Sequence, residues 1–518
     1  MKKLFFIFLL FTASIFSDSL KNLPGITQKT KSIKSIYNTL NPKSVLQYFA
    51  FYELYPETQE GKMALKKAWK LLKQDTDQSI TLPNMDITMM ISLVNNQSMV
   101  FQNNIDDETL SFLESLGKTL KNRTLKGHTL WDSQEIKNLD YKEIDLARAL
   151  FLEDLGSDKE SIYKIRYYEV CLDLMALQIL SKLKDNYKPI DLVHAINDFI
   201  FYDMRFRFPP QSLQNSKIDV YTLLPSVMDT RRGVCLGVSI LYLSLSQRLG
   251  LNLEIVTPPG HIYVRYKDEN NKITNIETTA RGVNYPSDIY LSIETKKLQL
   301  RNMKEVVGLA FMNKASVFWG TQKYEETIEL YEKAQKYLDD DLLLKHFLGL
   351  NYLFVNREKE GKELLKKTKD LHVEYSTSKD TLAVDFLDNK ADIESIKSIF
   401  LNIDETRESI IKKQNILKDV VKKFPKFRSA LMQLSSSYLQ LGREKEALVY
   451  LKKYYEIDQN DPTVNYYLSV LFFERYDYKN SWKYYLNCKK ILDSHSHKPK
   501  SLKELEDSLK VKCPKSSL

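Results

Sequence analysis

Six positions near the C-terminal end of this chain return 34 residues later: Leu434, Ser435, Tyr438, Gly442, Ala447 and Leu451 are answered by Leu468, Ser469, Phe472, Tyr476, Ser481 and Tyr485. Ala315 and Phe318 stand in the same relation to Gly349 and Tyr352. A fixed period of this length means that one supersecondary unit is repeated, each copy with a face that only a neighbour can bury. Units are expected near 308–341, 342–375, 428–461 and 462–495, with a degenerate one near 394–427 ending at Phe424-Pro425. Stacked in this way they form a superhelix whose concave face suits a protein or peptide partner.

The 518 residues exceed what one hydrophobic core organises, so several domains are expected. With 31 Tyr and 24 Phe against 15 Gly and 15 Pro, the chain favours helices over tight turns. Residues 18–190 read as a helical region without chemical motifs, with apolar spacing of three and four at Ala64, Leu65, Ala68, Leu71 and Leu72 and breaks at Leu82-Pro83-Asn84 and between Gly117 and Gly127. From 191 the pattern changes. Val193, Ile196, Phe199, Ile200 and Met204 trace one helix face, and a second helix is predicted from Cys235 to Leu249, stopped by Gly250. Strands follow over Leu253–Val256, at Ile262, Val264 and Tyr266 in alternation, and over Lys272–Thr279. The expected fold is mainly α with a small α+β core. It comprises an N-terminal helical region, a helix plus antiparallel sheet over 191–300, repeats over 301–495 and a polar tail over 496–518.

Met1-Lys2-Lys3, the apolar run Leu4–Phe11 and the small residues before Ser17 have the layout of a secretory signal, assigned to 1–17. Leu4–Phe16 is too short to cross a bilayer, and no later apolar run is long enough, so an exported protein without a stable membrane span is expected, in the periplasm, cell envelope or extracellular space. The first cysteine is Cys171, which leaves no lipid attachment point after the apolar run. Cys171 and Cys488 read as packed thiols and Cys513 falls in the tail; no CxxC spacing supports a metal site. The net charge of +9 is spread over 76 basic and 67 acidic residues without a nucleic-acid-binding signature, so no nucleic-acid partner is expected. There is no phosphate loop, HExxH or GxSxG, and no cofactor or metal is implied; His128, His194, His346 and His372 are isolated, and His495 with His497 forms a tail pair.

The chemistry concentrates in Arg231-Arg232-Gly233-Val234-Cys235-Leu236-Gly237, Pro259-Gly260-His261 and Asn275-Ile276-Glu277-Thr278-Thr279. A lone cysteine in an apolar helix is usually a small buried hydrophobe, a histidine opening a strand can be a cap, and a strand glutamate alone means nothing. Their order and compactness give them meaning together. Cys235 falls in the first turn of its predicted helix, where partial positive charge favours an anionic sulfur and unpaired N–H groups can hold an oxyanion. A strand-edge His261 facing that turn could take the thiol proton and return it to a leaving group, with Glu277 fixing the ring's tautomer.

The stretch from Ala195 to Gly282 resembles the transglutaminase-like superfamily. Arg232–Tyr242 resembles its nucleophile helix, Pro259–Arg265 its histidine strand and Ile276–Thr279 its acidic strand, with Glu where Asp is more usual. The resemblance implies a papain-like cysteine-hydrolase core with Cys235 as nucleophile, His261 as general base and acid, and Glu277 as orienting group. The Arg-Arg-Gly and Pro-Gly-His stretches are similar to a bacterial branch often joined to tetratricopeptide repeats, whose helix-pair pattern Tyr324–Ala334 and the 34-residue period also resemble. Two functions are expected: an exported peptidase or amidase whose repeats recruit a protein or peptide, or a non-catalytic envelope assembly protein acting through its repeats.

Overall fold

The structure, a computed structural model, describes residues 29–71, 105–184, 186–209, 220–369, 375–404 and 406–514. The expected signal segment, the break at Leu82-Pro83-Asn84 and His372 lie outside the described residues.

One helix, Lys159–Ser181, organises the first half. The Asp158 carboxylate caps it by accepting from the backbone N–H groups of Glu160 and Ser161. Every residue from Tyr167 to Ile179 is buried, so the helix must be covered on all sides. Asp107–Leu116, Leu146–Leu155 and Cys235–Leu249 pack against it. Its surroundings also enclose charge. Arg148 grips Glu169 with two bonds of 2.7 Å, and the Arg248 Nε donates to Asp173 Oδ1 at 2.9 Å while Arg123 bonds the other oxygen of Asp173. Charges this deeply buried persist only when paired. The network therefore fixes the C-terminal part of the Cys235–Leu249 helix to the N-terminal helices.

The helix expected over 193–204 is Pro189–Asn197 continued by a wider π turn, Asp198–Asp203. Four short strands make an antiparallel sheet in the order β3-β2-β1-β4, with β1 Glu254–Thr257, β2 Tyr263–Lys267, β3 Ile273–Ile276 and β4 Gln299–Arg301. Ile255 pairs with Val264 and Val264 with Ile276, placing three apolar side chains side by side in the core.

Four helical hairpins form the repeats: Met303–Gly320 with Tyr324–Gln335, Leu342–Phe354 with Glu358–Thr368, Arg428–Gln440 with Glu444–Ile457, and Pro462–Glu474 with Tyr478–Ser494. Small residues recur because the paired helices touch there. The Ser435 hydroxyl donates to the Ala447 carbonyl at 3.1 Å, and 34 residues on Ser469 donates to the Ser481 carbonyl at 2.9 Å. The degenerate unit has a first helix reduced to Ile393–Ile399, followed by Arg407–Lys423. The segment Ser292–Lys297 crosses to the last repeat: Ile293 packs with Trp482, Tyr485, Cys488 and Leu492, and His497 Nε2 donates to the Ser292 carbonyl at 2.6 Å.

One expectation needs correction. A polar tail is expected over 496–518, but Lys500–Lys512 is a helix that buries Leu502, Leu505 and Leu509 on the last hairpin, a stripe masked by its lysines. His497 of the tail pair is buried against Ser292. All four cysteines are free thiols. Among the described residues no helix is long and apolar enough to cross a membrane.

Candidate active site

Cys235 is the first residue of its helix, directly after the N-cap Val234. The approach is pinned by the Val234 N–H donating to the Tyr221 carbonyl at 3.1 Å and the Gly233 N–H to the Arg207 carbonyl at 3.2 Å. The first turn sits so close to the backbone before it that a Cβ on Gly237 would lie 2.2 Å from the Tyr221 oxygen. Only glycine fits there. The sulfur is left half-buried at the helix N-terminus, the end that favours negative charge.

His261 leaves a turn in which Gly260 has φ of +69° and the His261 N–H donates to the Pro258 carbonyl at 3.0 Å. Glu277 stands one residue beyond β3 rather than on it, pairing with Val283 across a bridge and capping the short turn Thr278–Ala280. His261 Nε2 lies 2.7 Å from Glu277 Oε2, and Cys235 is near enough to bear on the ring's protonation. With Nε2 committed to the carboxylate, Nδ1 is the nitrogen left for sulfur. His261 keeps 24% of its side chain exposed while Glu277 keeps 5%. The structure thus brings all three sequence-predicted residues together.

Burial favours the neutral imidazole, but the interactions with Cys235 and Glu277 outweigh it and push His261 up to about 10. For Glu277, burial acts against the charged form, and bonds from His261, Thr279 and Tyr290 still hold the carboxyl below its ordinary value. The Thr279 N–H and hydroxyl donate to Oε1 at 3.1 and 2.6 Å, and the Tyr290 hydroxyl donates to Oε2. Burial first, then that bond, raises the Tyr290 phenol. Thr278 donates to the Cys235 carbonyl at 3.4 Å and pairs with the Ser239 hydroxyl at 3.1 Å, tying the acidic segment to the cysteine's own turn.

Sequence reasoning missed Thr278, Thr279 and Tyr290. The two threonines had a signal, since hydroxyls directly after a carboxylate commonly bond it locally. Tyr290 had none, because a short turn, Ser287–Tyr290, delivers it.

Two histidines expected to be isolated have partners. His346 is buried beside Thr368 and Asp380. His128, Asp145 and Glu169 offer three ligand atoms within 4.8 Å of one another. That set is already engaged: Arg148 takes both Glu169 oxygens, and Asp145 receives His128 at 3.0 Å and Asn122 at 3.0 Å.

A cysteine at the start of a buried helix, against an antiparallel sheet that carries a histidine and a neighbouring carboxylate, is the architecture of a transglutaminase-like domain. Residues 167–298 match the family model described as transglutaminase-like superfamily, and residues 429–461 match a tetratricopeptide repeat model. The chain therefore carries a transglutaminase-like domain and a tetratricopeptide repeat. The first match begins inside the Lys159–Ser181 helix, ahead of position 191, because that helix shares its core with Cys235–Leu249. No match is found among curated proteins. Among solved structures, a crystal structure of MamA is 12% identical, covering 35% of this chain and 96% of that one, with a TM-score of 0.20. A thermophilic TPR protein of Thermus thermophilus is 17% identical, covering 40% of this chain and 98% of that one, with a TM-score of 0.20. Likeness of that degree adds nothing to the description of this fold.

Proposed function

We propose that the protein is a thiol hydrolase of amide bonds, a peptidase or amidase, with Cys235, His261 and Glu277 as its working groups. The observation that carries this reading is the 2.7 Å bond from His261 Nε2 to Glu277, which leaves the other ring nitrogen for a sulfur at a helix N-terminus. The Cys235 sulfur attacks the amide carbon, and N–H groups of the first helical turn receive the oxyanion. The imidazolium gives its proton to the departing amine, leaving an acyl-cysteine. His261 then takes a proton from water, which releases the acid and restores the thiol. Glu277 keeps the ring in the required tautomer. Intact-mass spectrometry after incubation with peptide mixtures tests the cycle. An acyl adduct on Cys235 in the native chain, lost in Cys235→Ala, is the expected result, and its absence from every mixture counts against hydrolysis.

The repeats motivate the rest of the proposal: a protein or peptide partner held on the concave face and delivered to the domain. The export expected from residues 1–17 would put this chemistry in the periplasm, cell envelope or extracellular space, and the mature N-terminus determined from native cells tests it. The alternative, an envelope assembly protein that uses the fold only as scaffold, is favoured by the length of the repeat array. Full-length Cys235→Ala used as bait in envelope extracts separates the two, because an assembly protein retains both partner and cellular phenotype without the thiol.

A further inference from the structure

Four arginines stand on the segments that lead into Cys235 and out of Glu277. Arg232 lies three positions before the cysteine and is exposed. Arg207 pairs through its backbone with Arg232, and its carbonyl holds the Gly233 N–H at 3.2 Å. Arg205, two positions earlier, and Arg281, four positions after Glu277, both sit in the left-handed region with φ of 58°. A non-glycine residue pays about 1 kcal/mol or more to stay in that region, so the backbone at both positions is held there by its surroundings. The Arg281 turn is closed by the Gly282 N–H donating to the Glu277 carbonyl at 2.9 Å, which ties its position to the acidic member of the site.

Elsewhere arginines are matched: Arg148 with Glu169, Arg248 with Asp173, Arg301 with Asp341 and Arg428 with Asp385. Among the described residues, Arg205, Arg207, Arg232 and Arg281 have no ion pair. Arg207 anchors its Nη1 on the carbonyls of Phe201 and Phe206 at 2.6 and 2.7 Å. Burial, then the like charges of Arg281 and Arg205, push its guanidinium below the ordinary value. An anion placed among them would relieve that repulsion, and guanidinium groups match carboxylates in geometry as well as charge.

We propose that these arginines receive a carboxylate of the peptide presented to Cys235, making peptides with an acidic side chain or a free α-carboxylate beside the scissile amide the preferred substrates. The assignment rests on the thiol-hydrolase reading, which requires an amide and so favours a peptide over a nucleic acid or a phosphorylated lipid.

Paired alkylation tests it on the full-length chain. Iodoacetate and iodoacetamide deliver nearly the same group, one anionic and one neutral, and peptide mass spectrometry reads each rate at Cys235. The iodoacetate-to-iodoacetamide rate ratio is expected to be about three- to ten-fold higher at Cys235 than in a free cysteine peptide. It should fall toward the peptide value in 0.5 M salt and in the double variant Arg205→Gln, Arg281→Gln. The salt arm, on the unaltered chain, keeps the test independent of how the variant folds. Blocked Ala-Glu-Ala, blocked Ala-Gln-Ala with a free C-terminal carboxylate, and blocked Ala-Gln-Ala amide are then compared as protectants. Protection by the first identifies an acidic side chain, protection by the second an α-carboxylate, and the amide should not protect. A ratio equal to that of the free peptide, or protection by inorganic phosphate equal to that by the peptides, overturns the proposal. A slow iodoacetamide reaction strikes the underlying thiol-hydrolase reading instead, since that reagent carries no charge.

Discussion

Tyr290 and His261 bond to the same oxygen of Glu277, Oε2, while their rings stack with centroids 5.7 Å apart. Tyr290 also stacks on Tyr263 of β2 at 4.9 Å, so the histidine, its carboxylate and the sheet are fastened through one phenol. Replacing Tyr290 by Phe keeps both stacks and removes the donor to the carboxylate. Loss of a hydrogen bond to a charged group costs about 1.5–3 kcal/mol, so Tyr290→Phe should lower unfolding free energy by that amount in a urea titration.

The charge on Glu277 is one of the causes that hold His261 at about 10. Glu277→Gln keeps the shape and removes the charge, so the imidazole should titrate at lower pH. An NMR titration of the ring carbon protons measures this directly. An unmoved midpoint would mean that the carboxylate does not control the ring.

The same shift makes stability depend on pH. A histidine titrates near 6.5 in an unfolded chain and at about 10 here, so the folded state binds the proton more tightly. Its contribution is complete below about 6.5 and is lost as the pH rises through about 10. The stability gap between the native chain and His261→Gln should therefore narrow from pH 6 to pH 10 in urea unfolding. A gap that stays constant excludes the imidazolium as its source.

Arg248 is fully buried and holds Asp173, whose carboxyl is raised to about 6 by burial despite Arg248 and Arg123 beside it. Removing one partner strands the other, at a cost of about 3–5 kcal/mol. Arg248→Ala should show that loss in chemical denaturation. Because the ion pair fixes the helix that begins at Cys235, the variant should also react more slowly with iodoacetamide under conditions where it remains folded.

Much of this was legible in the sequence. The Cys235–Leu249 helix follows from its apolar stripe and from Gly250, and the repeats follow from the 34-residue recurrence of small residues where helices touch. The cysteine, histidine and carboxylate could be named because helix, turn and strand ends place them within one short stretch. What escaped depends on long-range partners. Asp173 and Arg248 meet only when two buried helices cross, and nothing local to either announces the pair. β4 is three residues with Leu300 exposed, too short to show alternation. No element is expected over Ser292–Lys297, yet Ile293 packs in the core of the last repeat. The tail helix was hidden by its lysines, although Leu502, Leu505 and Leu509 keep helical spacing.

The central claim is that Cys235 is an activated thiol governed by His261, and its iodoacetamide alkylation rate at neutral pH tests this most directly. The account predicts a rate at least about ten-fold above that of an ordinary exposed thiol, falling by a similar factor in His261→Ala. A Cys235 rate equal to that of an unstructured cysteine peptide, and unchanged in His261→Ala, would contradict it.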